Sequence, residues 1–153
     1  MRTSHGFSAF LVVSVVLFVG GTKADAAQVV LLDFDTGTDG SILYTAAMRD
    51  DVEALMEGHY AAFDFSFTQV TPATGDFSTI FFNAGVGGGL AEHTDFRNVH
   101  HNDTAVVNVD VFGLATTSDI VSASAIIGSW GLGHLAGLRA GDSYGPIGSG
   151  LAS

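Results

Sequence analysis

Residues 130–142 read WGLGHLAGLRAGD and lie between the apolar run 124–129 (SAIIGS) and a glycine-rich tail. Their apolar and small side chains continue a helical pattern that begins near Ile120 and runs towards Leu138. Ser118 or Asp119 is placed to cap its first turn. Residues four apart share a helix face, so Trp130 and His134 sit one turn from each other. Gly131 and Gly133 oppose the helix, each by roughly 1 kcal/mol relative to Ala. Spacing alone therefore predicts a buried helix with a packing tryptophan and one histidine held by a polar partner.

The segments upstream supply a sheet for this helix to cover. Residues 104–112 (TAVVNVDVF) and 78–82 (STIFF) are β-branched and apolar, and read as strands, the second one interior. Residues 63–68 (FDFSFT) alternate strictly, as a half-buried strand does. Residues 29–34 (VVLLDF) form the first strand. Ser41 is placed to cap a helix over 42–60, where Tyr44, Met48, Val52, Leu55 and Met56 recur on one face. Gly58 marks its end, and His59 reads as a polar residue there. Residues 71–76 (TPATGD) make a turn. Residues 83–90 (NAGVGGGL) read as a flexible loop, its glycines free to take positive φ. That loop lacks the Lys and Ser/Thr of a phosphate loop. The order predicts an α+β domain: a mixed twisted sheet with two main helices, and no internal repeat.

The 153 residues suffice for one domain. Arg2, the apolar run 10–19 and the small residues Ala24 and Ala26 form a secretory signal over 1–26. The apolar run is about half of what a bilayer crossing requires. The expected mature chain, 27–153, is secreted or periplasmic and free of the membrane. It has no cysteine, so packing must stabilise it, helped by any metal it binds. The net charge is −11, and removal of Arg2, Lys23 and Asp25 leaves 3 basic and 15 acidic residues, a net −12. Such a surface repels nucleic acid. Oligomeric state leaves no mark in the sequence.

Two acidic stretches can hold a cation. Residues 33–40 (DFDTGTDG) have the alternating carboxylates of a calcium loop, but Tyr44 stands at the twelfth position, where an EF-hand needs a carboxylate. An Asp- and Gly-rich turn accounts for them, with calcium in another geometry as the alternative. The second stretch joins Glu92-His93-Thr94-Asp95 to His100-His101-Asn102-Asp103. Imidazole nitrogen and carboxylate oxygen suit zinc. His93, Asp95, His100 and His101 are the candidate accessory ligands, two or three of which can converge across the loop.

The stretch around His134 resembles the zinc-binding helix and turn of the metzincin metallopeptidases, HExxHxxGxxH. The second histidine of that pattern falls on His134 and the turn glycine on Gly137. The flanks 124–129 and 141–144 (GDSY) are similar to the family's, and the strand order fits its N-terminal subdomain. The resemblance implies a zincin fold, peptide or protein substrates, and peptide-bond hydrolysis by zinc-activated water. It also implies ligands at positions 130 and 140 and a general base at 131. Trp130, Ala140 and Gly131 stand there instead. Indole N–H only donates, and Gly and Ala have no ligand atom. A catalytic zinc needs about three protein ligands, and its water needs a base. The expectation is therefore a metzincin-like domain without catalytic residues, His134 its one retained ligand and zinc not held stoichiometrically. With 13 residues beyond Ala140, and methionine only at 1, 48 and 56, the family's Met-turn is expected to be missing. The alternative is an exported non-catalytic binding or structural module that holds calcium or another metal in its acidic or histidine loop.

Overall fold

The β-branched run VVLLDF becomes the inner strand on which the sheet is assembled. In a computed structural model, which describes residues 27–138, β1 (Gln28–Asp33) pairs in parallel with β2 (Phe65–Thr68) on one side and β3 (Ser78–Phe82) on the other. β5 (Thr104–Asn108) lies parallel beside β3, and β4 (Gly88–Ala91) completes the edge antiparallel to β5. The order β2-β1-β3-β5-β4 is a mixed sheet, as the sequence predicts. The signal segment 1–26 and residues 139–153, with Ala140, lie outside the described residues.

Parallel neighbours need crossovers. Helix α1 (Ala46–His59) joins β1 to β2, and α2 (Thr117–Leu135) follows β5. The pairing registers align Leu32, Ile80 and Ala105 in one row and Phe82 with Val107 in the next. These side chains are fully or nearly fully buried against Met48, Val52 and Met56 of α1 and Ala125, Leu132 and Leu135 of α2. The helices also bond to each other. Tyr44 Oη and Ser124 Oγ are 2.8 Å apart, and Tyr60 Oη donates to the Ser129 carbonyl at 2.7 Å.

Several boundaries differ from the sequence expectation. Helix α1 starts at Ala46, not Ile42, because Thr45 is its cap and accepts from the Met48 N–H at 3.3 Å. Ser41 instead donates its N–H and hydroxyl to Asp110 Oδ2, both at 2.6 Å. Leu55 belongs to the outer side of α1, 39% exposed. The strand expected over 63–68 begins only at Phe65. The strand expected over 104–112 ends at Asn108 and passes into a 3-10 turn, Asp110–Phe112. Helix α2 starts earlier, at Thr117. Thr116 accepts from the Asp119 N–H and donates to its carboxylate, a reciprocal cap that Ser118 or Asp119 alone would not make.

The main correction concerns 83–90, expected as a flexible loop. Residues 88–91 are strand β4. Gly89 is a close-approach residue, since a Cβ there would collide with Ile127 Cγ2 of α2. Its lack of a side chain lets α2 lie directly on the sheet edge. Gly131 works the same way from the helix side, for a Cβ there would stand 3.0 Å from the Ala105 methyl. Gly131, which weakens α2 locally, thus permits its close packing on β5, and Gly89 permits the same on β4.

His59 ends α1 with its Nδ1 2.7 Å from Ser129 Oγ. Burial holds its pKa below the ordinary value of 6.5. A depressed folded pKa means the unfolded chain takes up the proton first. Stability is therefore fully present above 6.5 and falls as pH drops through the folded value. Thermal unfolding is expected at lower temperature at about pH 5.5 than at about pH 7.5, with a smaller difference in His59→Gln. An equal difference in both proteins would assign the effect to other groups. Asp110, held low by its bonds to Ser41, acts in the lower, carboxylate range of pH.

Candidate functional site

Helix α2 brings the opening stretch to the sheet edge and ends it sharply. The Leu138 N–H donates to the Gly133 carbonyl at 2.8 Å, and the Gly137 N–H to the His134 carbonyl at 3.0 Å. This is a Schellman motif, with Gly137 at φ +90° in its left-handed position. A Cβ on Gly137 would meet the Asp95 carbonyl oxygen at 2.5 Å. The Asp95 N–H also donates to the His134 carbonyl at 3.2 Å. The helix end and the β4–β5 connection are therefore packed as one unit.

Trp130 and His134 are neighbours, as their spacing predicts. Their rings meet edge to face, with centroids 4.4 Å apart and planes at 72°. His134 Nδ1 lies 3.2 Å from Thr94 Oγ1, which is the polar partner expected of a lone helical histidine. With Leu90, Ala91 and His93 these three residues line a groove of about 200 Å³ between α2 and β4. Of the positions that the family pattern would fill, only His134 offers a ligand atom there. Gly131 faces Ala105 of β5.

The histidine loop gathers in a different combination from the four residues expected. The β4–β5 register pairs Ala91 with Ala105 and continues through the Glu92 N–H to the Thr104 carbonyl, at 2.9 Å. One further step sets His93 opposite Asp103. His93 Nε2 comes within 2.9 Å of Asp103 Oδ2. Ligand atoms of His93, His100 and Asp103 all lie within 4.8 Å of one another. Asp95 and His101 serve other purposes. The Asp95 carboxylate accepts the backbone N–H of His100 at 2.7 Å and of Arg97 at 3.3 Å. Those bonds, that of His100 foremost, hold its pKa below the usual carboxylate value. His101 Nε2 lies 2.8 Å from the Asn98 carbonyl. Sequence reasoning places Asp103 in this stretch but not among the four candidates, because its pairing with His93 becomes evident only once β4 is recognised as a strand.

The acidic stretch 33–40 behaves as a turn. Asp33 Oδ1 accepts from the N–H groups of Asp35 and Thr36 at 2.9 and 3.0 Å. Asp35 faces Arg49 in a two-bonded pair of 2.6 and 3.0 Å, which holds its carboxyl below the usual range. Asp39 accepts from the Gly85 N–H at 2.8 Å. The three carboxylates are thus engaged with three separate partners.

Among the described residues no helix is long and apolar enough to cross a membrane. Compared with models of known protein families, with curated proteins and with solved structures, the chain matches none.

Proposed function

We propose that this chain is an exported, metzincin-like domain that binds extended peptide segments along β4 without cleaving them. The observation that carries the reading is the Trp130–His134 contact beneath an antiparallel edge strand. A mixed sheet, with its edge strand beside the end of a helix that closes in a glycine turn, supports the family resemblance of residues 130–142. The hydrolytic part of the family's chemistry lacks its groups. The indole of Trp130 fills the place beside His134 where a second imidazole would be needed, and it cannot ligate. Gly131 supplies no base for a zinc-bound water.

What remains fits binding. Among the described residues β4 is an edge strand of the sheet, and main-chain pairing of an added strand with such an edge gives affinity without chemistry. Leu90, 66% exposed, and Trp130 offer apolar contact beside it. The mature chain is expected to leave an unstructured protein such as casein intact. Unstructured peptides are expected to shift the amide resonances of β4 selectively. Zinc content is expected to be the same in the parent and in His134→Ala. Cleavage that disappears in His134→Ala, or zinc that is lost with it, would refute the reading.

A further inference from the structure

We propose that His93, His100 and Asp103 form a zinc site that staples the β4–β5 connection. The three ligand atoms come from a strand end, a loop and the foot of the next strand, and they lie within 4.8 Å of one another. Atoms that share one ion at about 2.0–2.2 Å each stand at most about 4.4 Å apart, so a small rotation of the two exposed imidazoles brings all three onto one ion.

The second observation is Asp103 itself. Its side chain is 8% exposed, and Oδ2 is buried without a hydrogen bond. His93 Nε2 approaches to 2.9 Å, yet off the direction in which a ring N–H would donate. A buried carboxylate oxygen without a donor is costly. An ion between the two atoms resolves that position, because both would then present lone pairs to the same point. Near it, His100 Nδ1 is 3.4 Å from Asp95 Oδ2, which leaves Nε2 of the same ring for the metal. A carboxylate behind a ligating imidazole is the usual outer partner of such a ligand.

The loop around these residues is fixed from outside. Asn98 Nδ2 donates to Gln28 Oε1 at 2.6 Å, and Gln28 Nε2 donates to Ser78 Oγ at 3.1 Å. The Thr79 N–H donates to the Asp103 carbonyl at 3.0 Å. Both imidazoles are accessible, with side chains 45% and 64% exposed. An ion can therefore enter and keep water in its remaining position. Two nitrogens and one carboxylate favour zinc over calcium, which takes six to eight oxygens. In a chain without cysteine, a metal in this loop would tie the end of β4 to the foot of β5.

This inference shares His93 with the groove but does not rest on peptide binding there or on the chemistry of α2. The test uses purified mature chain, stripped with a chelator and titrated with Zn²⁺, then with Co²⁺ for its visible spectrum. One equivalent is expected to bind, with unfolding raised by about 5 °C at saturating zinc. His93→Ala and His100→Ala, both at exposed side chains, are each expected to weaken binding at least about tenfold and to abolish the thermal shift. Asp103→Asn is expected to do the same. If that variant does not fold, the two histidine variants suffice. His101→Ala and His134→Ala are expected to bind zinc as the parent does. Absence of binding and of any thermal shift overturns the inference and leaves the reading of α2 in place. Binding retained in His93→Ala and lost in His134→Ala overturns both.

Discussion

Gly137→Ala is expected to destabilise the fold by about 3 kcal/mol, lowering the unfolding temperature by about 10 °C. Two effects combine at this position. The backbone sits at φ +90°, where a side chain is strained. The added Cβ would also stand 2.5 Å from the Asp95 carbonyl oxygen and 3.0 Å from Phe96 backbone atoms. Neither neighbour is the free end of a flexible side chain, so relief requires the helix end and the loop to separate. Gly75 provides the control, with φ +93° and nothing within 4 Å of a Cβ. Gly75→Ala carries the strain alone and is expected to cost about 1 kcal/mol. Equal losses in the two variants would show that the contact between Gly137 and Asp95 contributes nothing. Because that contact positions the loop that carries His93 and His100, Gly137→Ala should also weaken zinc binding there, whereas Gly75→Ala should not.

The same residues show what the sequence reveals and what it conceals. Helix α2 and strand β3 are legible because their pattern comes from side chains that the core must bury, such as Ile80, Phe82 and Leu132. The contact of Trp130 and His134 is legible for the same reason, since helical period sets residues four apart side by side, whereas the turn at Gly137 follows from the family resemblance. β4 is concealed. Its segment GGLA has no β-branched residue, and Gly89 is required by Ile127, which sits above it in space and 38 positions later in the chain. A strand whose covered face carries only Gly89 and Ala91 shows little alternation to read.

That omission propagates to the cluster of His93, His100 and Asp103. Without β4 there is no register, and without the register His93 and Asp103 are two residues of a loop rather than a facing pair. By composition Asp95 and Asp103 are equivalent. The difference lies in what each oxygen accepts: Asp95 is held by backbone N–H groups, and Asp103 Oδ2 by none. Helix starts are hard to place for a related reason. Ser41 has the chemistry of a cap, yet Asp110, 69 residues away, takes both of its donors. Local propensity ranks candidates, and a distant partner selects among them.

Trp130→His, Gly131→Glu and Ala140→His together are expected to create a zinc site on α2 that the parent lacks. The experiment belongs in a chain that also carries His93→Ala and His100→Ala, so that the loop contributes no metal. The effect should exceed about a hundredfold in zinc affinity, because loss of even an outer partner of a zinc ligand costs roughly 10–100-fold. The geometry at position 130 favours it. The Trp130 ring lies 4.4 Å from that of His134, so an imidazole on the same backbone reaches the same point in the groove. Position 131 is tighter. The Cβ of the new glutamate would meet the Ala105 methyl at 3.0 Å, and α2 must yield by a few tenths of an ångström. Ala105→Gly in the same background removes that methyl and serves as the companion variant. Zinc bound by the triple variant, and lost again in His134→Ala, would support shared ancestry with metzincins, because that family's pattern specifies these three positions together. No gain, either with Ala105 in place or with the Ala105→Gly change added, would count against the resemblance itself, since that family's pattern requires positions 130, 134 and 140 to meet at one ion.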